Sequence, residues 1–239
     1  MPLNINTNAA ASSASYHLSK NNAALQKSLT RLSSGSRITQ PADDAGGLAV
    51  SMKLSGTINR LSGVEKNIDN AISFLQVQDG ILNSAGKIID RMAELKALSQ
   101  DVLKNDSDIA NYNTEFKNLQ VQLYQISQET FNGVSLFAIT ATGGSTDAVF
   151  GGGSGVDNTV SMYTTASGAS GPIVSLSKAT LLSALTFNST DAKTNLAFGA
   201  TGTTLASTNS ATAVELSTIT VSFFTQAIEN IATLRAENG

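Results

Sequence analysis

Apolar residues along much of this chain recur at alternating steps of four and three. Leu54, Ile58, Leu61, Ile68, Ile72, Leu75, Leu82 and Ile89 follow that spacing, which predicts one long helix from about Asp43 toward Asp101. The same register puts Glu65, Asp79 and Gly86 on the seam, while Val64, Ala71, Ala85 and Met92 widen the apolar stripe. A stripe that is both interrupted and broad fits a bundle helix with more than one neighbour better than a two-stranded zipper.

Upstream, residues 9–33 read as a helix with Leu18, Leu25, Leu29 and Leu32 on one side and Lys20, Lys27 and Arg31 as its formal charges. So thin a stripe hardly holds a monomeric helix in water, so a partner is expected to cover it. Downstream, "KNDSDIANYN" interrupts the long pattern around Asn105 to Asp108, and Tyr112, Phe116, Leu119, Leu123 and Ile126 resume it. This second helix is expected to end near "ETFNGVSLF", where Asn132-Gly133 is a strong turn signal before a short strand-like segment. Two long helices with a short connection pack antiparallel, and their shared seam asks for a third. The third candidate begins at Val221, where Phe224, Ile228, Ile231 and Leu234 restore the spacing.

Between these helices, residues 138–219 are rich in Ser, Thr and Gly. Thr159 to Thr164 and Ile173 to Leu176 alternate in polarity between turn residues and read as strands, while "KATLLSALTF" suits a short helix or a strand. The expected organisation is an N-terminal assembly helix over 1–36, long helical rod segments and the Asn-Gly turn over 37–137, a solvent-exposed insert for display or spacing over 138–219, and a returning rod helix over 220–239. The fold class is mainly α: an elongated antiparallel heptad-patterned rod with a small β-rich or mixed inserted surface domain. Asn238-Gly239 is a helix-capping pair that suits a short chain, whereas an apolar face only just established there suits a truncated one.

Composition narrows the chemistry. Among 239 residues aromatics are 5%, so much of the apolar content is small side chains, which suit thin packing better than an enzyme core. A net charge of -3 gives no basic field for nucleic acid. The chain has no cysteine, which excludes disulfides, thiol catalysis and thiolate metal sites. His17 stands alone between Tyr16 and Leu18 and reads as an ordinary surface or interface residue. The N-terminus lacks a basic start followed by an apolar core, and no apolar run reaches the roughly 18 residues of a membrane span. Any export is therefore expected to use a route that reads another signal, and no membrane insertion is expected.

The segment "SSGSRITQPADDAGGLAV" holds the densest set of candidate groups: Arg37, Pro41, Asp43, Asp44, Gly46 and Gly47. Adjacent carboxylates point in different directions on a helix, and no base or third acid is fixed beside them, so neither acid-base chemistry nor a Ca²⁺ loop is indicated. Pro41 biases its predecessor away from helix, Asp43 or Asp44 caps the long helix, and Gly46 and Gly47 permit close packing of a neighbouring element. "GGGSG" at 151–155 lacks the Lys-Ser/Thr of a phosphate loop and reads as a flexible connection. Asn105 and Asn188 fit the short N-glycosylation pattern, a weak signal. No cofactor or metal is implied.

Four stretches, taken in order, carry a family resemblance. They are "LNINTNAAASSASYHLSKNNAALQKSLTRLSSGSRITQPADDAGGLAV", "NIDNAISFLQVQDGIL", "ETFNGVSLF" and "AIENIATLRAENG". Together they resemble bacterial flagellin everywhere outside the middle insert. The resemblance implies a structural filament subunit for motility, with no catalytic role, exported unfolded by the flagellar type III apparatus and polymerised beneath a distal cap. Its partners would be other flagellin subunits, the filament cap and hook-filament junction proteins and the export apparatus, and its location the secreted, extracellular filament. The terminal helices would line an inner tube, residues 43–130 with the returning helix would form an outer rod, and the insert would face solvent. Leu25, Leu29 and Leu32, with the joint residues, become candidate subunit-packing positions, and the joint becomes the spoke between tube and rod.

Some flagellins are also detected by a Toll-like receptor through the long helices, and the matching positions here are Arg91, Leu95 and Glu115. "MAE" and "LKALSQ" around them depart from the commonest receptor-active pattern, so helix surface or subunit contact explains the three equally well. A larger departure comes after "LRAENG", where the family continues with two more helical segments, the last carrying the secretion chaperone's site; neither is in this sequence. The competing readings are a hook-filament junction protein or related type III export substrate, and an enzyme within the insert, for which 138–219 assembles no nucleophile, base or metal set.

Overall fold

The structure, a computed structural model, describes residues 8–140, 156–187 and 203–239. They form two compact units, Met1–Ser62 and Gly63–Gly239, and one helix runs through the boundary.

In the first unit, α1 (Ala9–Ser34) starts where Asn8 Oδ1 accepts from the backbone N–H groups of Ala10 and Ala11 at 3.1 and 3.3 Å. It stops at Gly35, whose φ of 65° lies in the left-handed region that terminates helices. A turn closed by Asp43 N–H donating to the Gln40 carbonyl at 3.0 Å leads into α2 (Ala45–Leu98). No described residue of this unit is buried. Its leucines lie in solvent: Leu25, Leu29 and Leu32 are 59, 55 and 81% exposed.

The second unit has a continuous core. From α2 come Phe74, Leu82, Ala85, Ile89, Met92 and Leu95; α3 (Asp106–Ser127) adds Phe116 and Leu123; α5 (Val221–Asn238) adds Phe223, Phe224, Ala227, Ile231 and Leu234. The third helix that the heptad seam required is α5. It runs antiparallel to α2, because Arg235 meets Asp79 while Leu216, just before α5, meets Lys96. The α3 helix runs antiparallel to α2 as well, with Glu115 beside Arg91 and the chain beyond α3 returning Leu136 to Gln78. Edge-to-face contact of Phe116 and Phe224 at 6.1 Å joins α3 to α5.

The break between α2 and α3 lies earlier than the polar residues suggested. Residues 99–105 make it, while Asn105 caps α3 by accepting from Asp108 N–H at 2.8 Å and Asp106 and Asp108 occupy the first turn. Residues that disfavour a helix interior here start a helix instead.

After α3, β1 (Thr130–Phe131) and β2 (Val134–Ser135) form a two-residue hairpin in which Asn132 and Gly133 both take positive φ, 51° and 80°. Then β3 (Ile139–Thr140) pairs with β4 (Val156–Asp157), and β5 (Thr159–Tyr163) pairs with β6 (Ile173–Ser177) in the register Tyr163 opposite Ile173. The ambiguous "KATLLSALTF" divides: α4 (Leu181–Ala184) precedes β7 (Thr186–Phe187), which pairs with β8 (Thr203–Thr204).

The described parts of 138–219 divide between the core and a solvent-exposed surface. Leu181, Leu182, Leu185, Phe187, Leu205, Leu216 and Ile219 enter the same core as the helices, because α3 and α5 leave an apolar gap that these side chains fill. The β5–β6 hairpin has no buried residue, with Ile173 and Val174 each 50% exposed, and residues 208–212 are exposed too. Buried polar groups fix this irregular backbone: Gln78 Nε2 donates to the Leu136 carbonyl at 2.6 Å, Gln120 exchanges two bonds with Val214, and Lys96 Nζ donates to the Leu216 carbonyl at 2.9 Å. The glycine run at 151–155 and Asn188 lie outside the described residues. No described helix is long and apolar enough to cross a membrane.

Candidate assembly surfaces

The joint of the first unit separates two jobs that the sequence left undivided. Asp44 is the cap, with Oδ1 accepting from Gly47 N–H at 2.8 Å and its carbonyl accepting from Leu48 N–H at 3.0 Å. Asp43 faces α1 instead, where Lys27 Nζ lies 2.5 Å and Arg31 3.8 Å from its carboxylate, and Thr39 donates to it from backbone and hydroxyl. The Lys27 ammonium, helped by Thr39, holds the Asp43 carboxyl down at about 2. Arg37 reaches Asp44 at 3.5 Å on the outside. Pro41 sits in the turn, where its ring prevents α2 from beginning early.

Within the chain, Gly47 answers to the Asp44 cap. A Cβ on Gly47 would overlap the Asp44 carboxylate and come within 3.1 Å of Ile38 Cδ1, whereas one on Gly46 would meet only Asp44 Oδ1 at 3.8 Å. Within the chain, the close approach is therefore at Gly47 alone. Lys27, Arg31 and Thr39 escaped the sequence reading; the one signal for them was two cations one turn apart on α1, preceding a pair of carboxylates.

On the second unit, Arg91 makes a bidentate contact with Glu115, at 2.7 and 3.2 Å, and a 2.7 Å bond to Glu94. Glu115 and Glu94 push the guanidinium pKa upward, and all three side chains remain accessible to solvent. Leu95 does not join them. It lies on the stripe of Ile89 and Met92 and is fully buried, since the Arg91 and Leu95 directions diverge by a helical step across the core edge. The expected surface triad is thus an ion pair above a core leucine. A second ion pair missed from the sequence, Arg235 with Asp79 at 2.7 Å, ties α5 to α2 and lowers the Asp79 pKa.

Two further surfaces of this unit are apolar. A cleft of about 410 Å³ opens between α2, the β1–β2 turn and the β5–β6 hairpin, walled by Phe74, Phe131, Val134, Val160, Met162 and Leu176. Val102 and Leu103, in the α2–α3 connection, are 95 and 90% exposed.

Thus α1 is bare, the joint is held by an ion clasp, and apolar surfaces of the second unit stand open. The pattern of the bacterial flagellin N-terminal helical region matches residues 5–142. The chain belongs to the bacterial flagellin family. Similar proteins include a flagellin of Listeria monocytogenes, 34% identical over 145 residues that are 60% of this chain and 50% of the Listeria protein. The Bacillus subtilis flagellin is 37% identical over 137 residues, 56% of this chain and 45% of its own length. A flagellar filament 30.7 kDa core protein of Treponema maltophilum is 36% identical over 133 residues, 55% of this chain and 47% of its own. The chain thus spans about half the length of these flagellin-family relatives.

Proposed function

We propose that this chain is a structural subunit that polymerises with copies of itself into the extracellular bacterial flagellar filament, serving motility mechanically and catalysing no reaction. The observation that carries the reading is the first unit: a 26-residue helix and the start of α2 bury no described residue, yet display Tyr16, Leu18, Leu25, Leu29 and Leu32 on one and Val50, Met52, Leu54, Ile58 and Leu61 on the other. Water does not reward such an arrangement, and coverage by further subunits does. The names of the relatives, flagellin and filament core protein, support the filament over the hook-filament junction. The cap and junction proteins and the export apparatus would be its further partners.

The test is sulfate-induced polymerisation of the purified chain, followed by sedimentation and negative-stain microscopy. Pelletable filaments are expected; a chain that stays monodisperse at every salt and concentration would sink the proposal.

A further inference from the structure

The chain's net charge of -3 conceals two halves of opposite sign. Residues 1–62 hold six Lys and Arg against two Asp and Glu, a net +4, while residues 63–239 hold nine against sixteen, a net -7. The unit in which no described residue is buried is therefore the basic one. Its helix α1 contains no acidic residue at all.

The charges of this unit are arranged around its apolar stripes. On α1, Leu18, Leu25, Leu29 and Leu32 fall within an arc of roughly 60°, and Lys20, Lys27 and Arg31 gather on the opposite side. On α2, Val50, Leu54, Ile58 and Leu61 fall within an arc of roughly 80°, with Lys53 and Arg60 in a row roughly 110° round the helix from its middle. Both stripes are exposed. Lys27 and Arg31 grip Asp43, but Lys20, Lys53 and Arg60 are exposed and have no ion pair among the described residues.

An exposed apolar stripe accompanied by unpaired cations is the pattern of a helix that lies in the plane of a lipid interface and does not span the bilayer. Its apolar side chains enter the acyl boundary, and Lys and Arg stems carry their charge to the headgroups. The charge selects the occupant. A net +4 adds attraction at an anionic bilayer and none at a neutral one, whereas nucleic acid would meet the cations and leave the stripes in water.

We propose that the first unit of the unassembled chain adsorbs on an anionic lipid surface, with its apolar stripes in the interface and its Lys and Arg among the headgroups. The contact goes beyond the filament reading and uses the side chains that polymerisation would cover, so bilayer and filament compete for them.

The test is flotation of the full chain, dilute and in low-salt buffer, with vesicles of phosphatidylcholine alone or mixed equally with phosphatidylglycerol. The chain is expected to float with the mixed vesicles only, and to leave them as sodium chloride is raised. Lys20→Gln/Lys53→Gln/Arg60→Gln should weaken vesicle binding about a hundredfold, at about fivefold for each cation near the surface. Leu25→Ala/Leu29→Ala/Leu32→Ala should weaken it at least about tenfold, in chains that melt like the wild type. Equal flotation with both vesicle types, flotation with neither, or undiminished affinity of the glutamine variant overturns the proposal. Undiminished affinity of the alanine variant marks a general polyanion site and overturns the lipid reading. Because flotation needs no polymer, a chain that floats but never pellets in sulfate upholds this inference and overturns the filament, and a chain that pellets but never floats does the reverse.

Discussion

Replacing Leu25, Leu29 and Leu32 together by alanine separates what holds a subunit together from what holds subunits to one another. In the chain as folded the three side chains are 59, 55 and 81% exposed, so close to two leucines' worth of surface still awaits burial. Each Leu→Ala change deletes three carbons, worth about 0.8 kcal/mol apiece when fully buried. The triple variant should then weaken each subunit's association by about 3–5 kcal/mol, a rise in critical concentration of roughly a hundredfold to a few thousandfold. The monomer should notice little. Alanine is the better helix former, no described residue of α1 is buried, and exposed substitutions change stability by about 0.5 kcal/mol or less. Sedimentation of sulfate-induced polymer measures the first quantity, and thermal unfolding followed by circular dichroism measures the second. A critical concentration within about threefold of wild type would refute subunit burial of this stripe; a lowered melting transition would show that the leucines already pack within the monomer.

Four other substitutions probe the joint and the core. The Asp43 carboxyl, held at about 2, contributes to the α1 clasp fully above its ordinary 3.8 and loses that contribution as pH falls toward 2. Lys27→Met should move its NMR titration midpoint up toward 3.8, and an unmoved midpoint would exclude Lys27 as the cause. Gly46→Ala should stabilise α2 by up to about 1 kcal/mol, whereas Gly47→Ala should cost about 0.5–2 kcal/mol by displacing the Asp44 cap; equal effects in urea melts would contradict the glycine assignment. Burial lowers the Lys96 pKa, so between its folded value and the ordinary 10.5 the unfolded chain binds more protons and stability rises with pH. Lys96→Met should remove that part of the slope between neutral and alkaline pH, and identical slopes in denaturant titrations would argue against a buried ammonium.

The helices were legible because a four-three spacing is a direct consequence of burying one face: Leu82, Ile89 and Leu123 fell on it and are fully buried. The same spacing continues through Leu54, Ile58 and Leu61, which are exposed, since periodicity registers that a face will be covered and is silent on whether the cover belongs to the same chain. The contribution of 181–219 to the core was hidden for the opposite reason. Short irregular segments carry no period, and their place depends on single long-range bonds such as Lys96 to Leu216 and Gln120 to Val214. At the joint, residue types indicated capping, but only geometry assigned the cap to Asp44 and the clasp to Asp43. Leu95 is buried although it lies one helical turn from exposed Arg91, because i and i+4 positions at the border of an apolar stripe can fall on either side of it.

The two units therefore differ in what stabilises them. Residues 63–239 carry a core that includes Leu82, Phe116 and Phe224 and is pinned by buried amides and an ammonium, so they have the means to fold as a monomer. Residues 8–62 have helix caps and one ion clasp but no core, and a helix of 26 residues without tertiary contacts is marginal in water. In the proposed filament, coverage of its leucine stripe by other subunits would offset the entropy of ordering it and couple the order of α1 to polymerisation. Hydrogen exchange offers the corresponding measurement: amides of Ser12 to Leu32 should exchange almost unprotected in the dilute monomer while those of Leu82 to Leu95 are slow, and polymerisation should close that gap. Equal protection of both segments in the monomer would mean that α1 has a stabilising partner within its own chain.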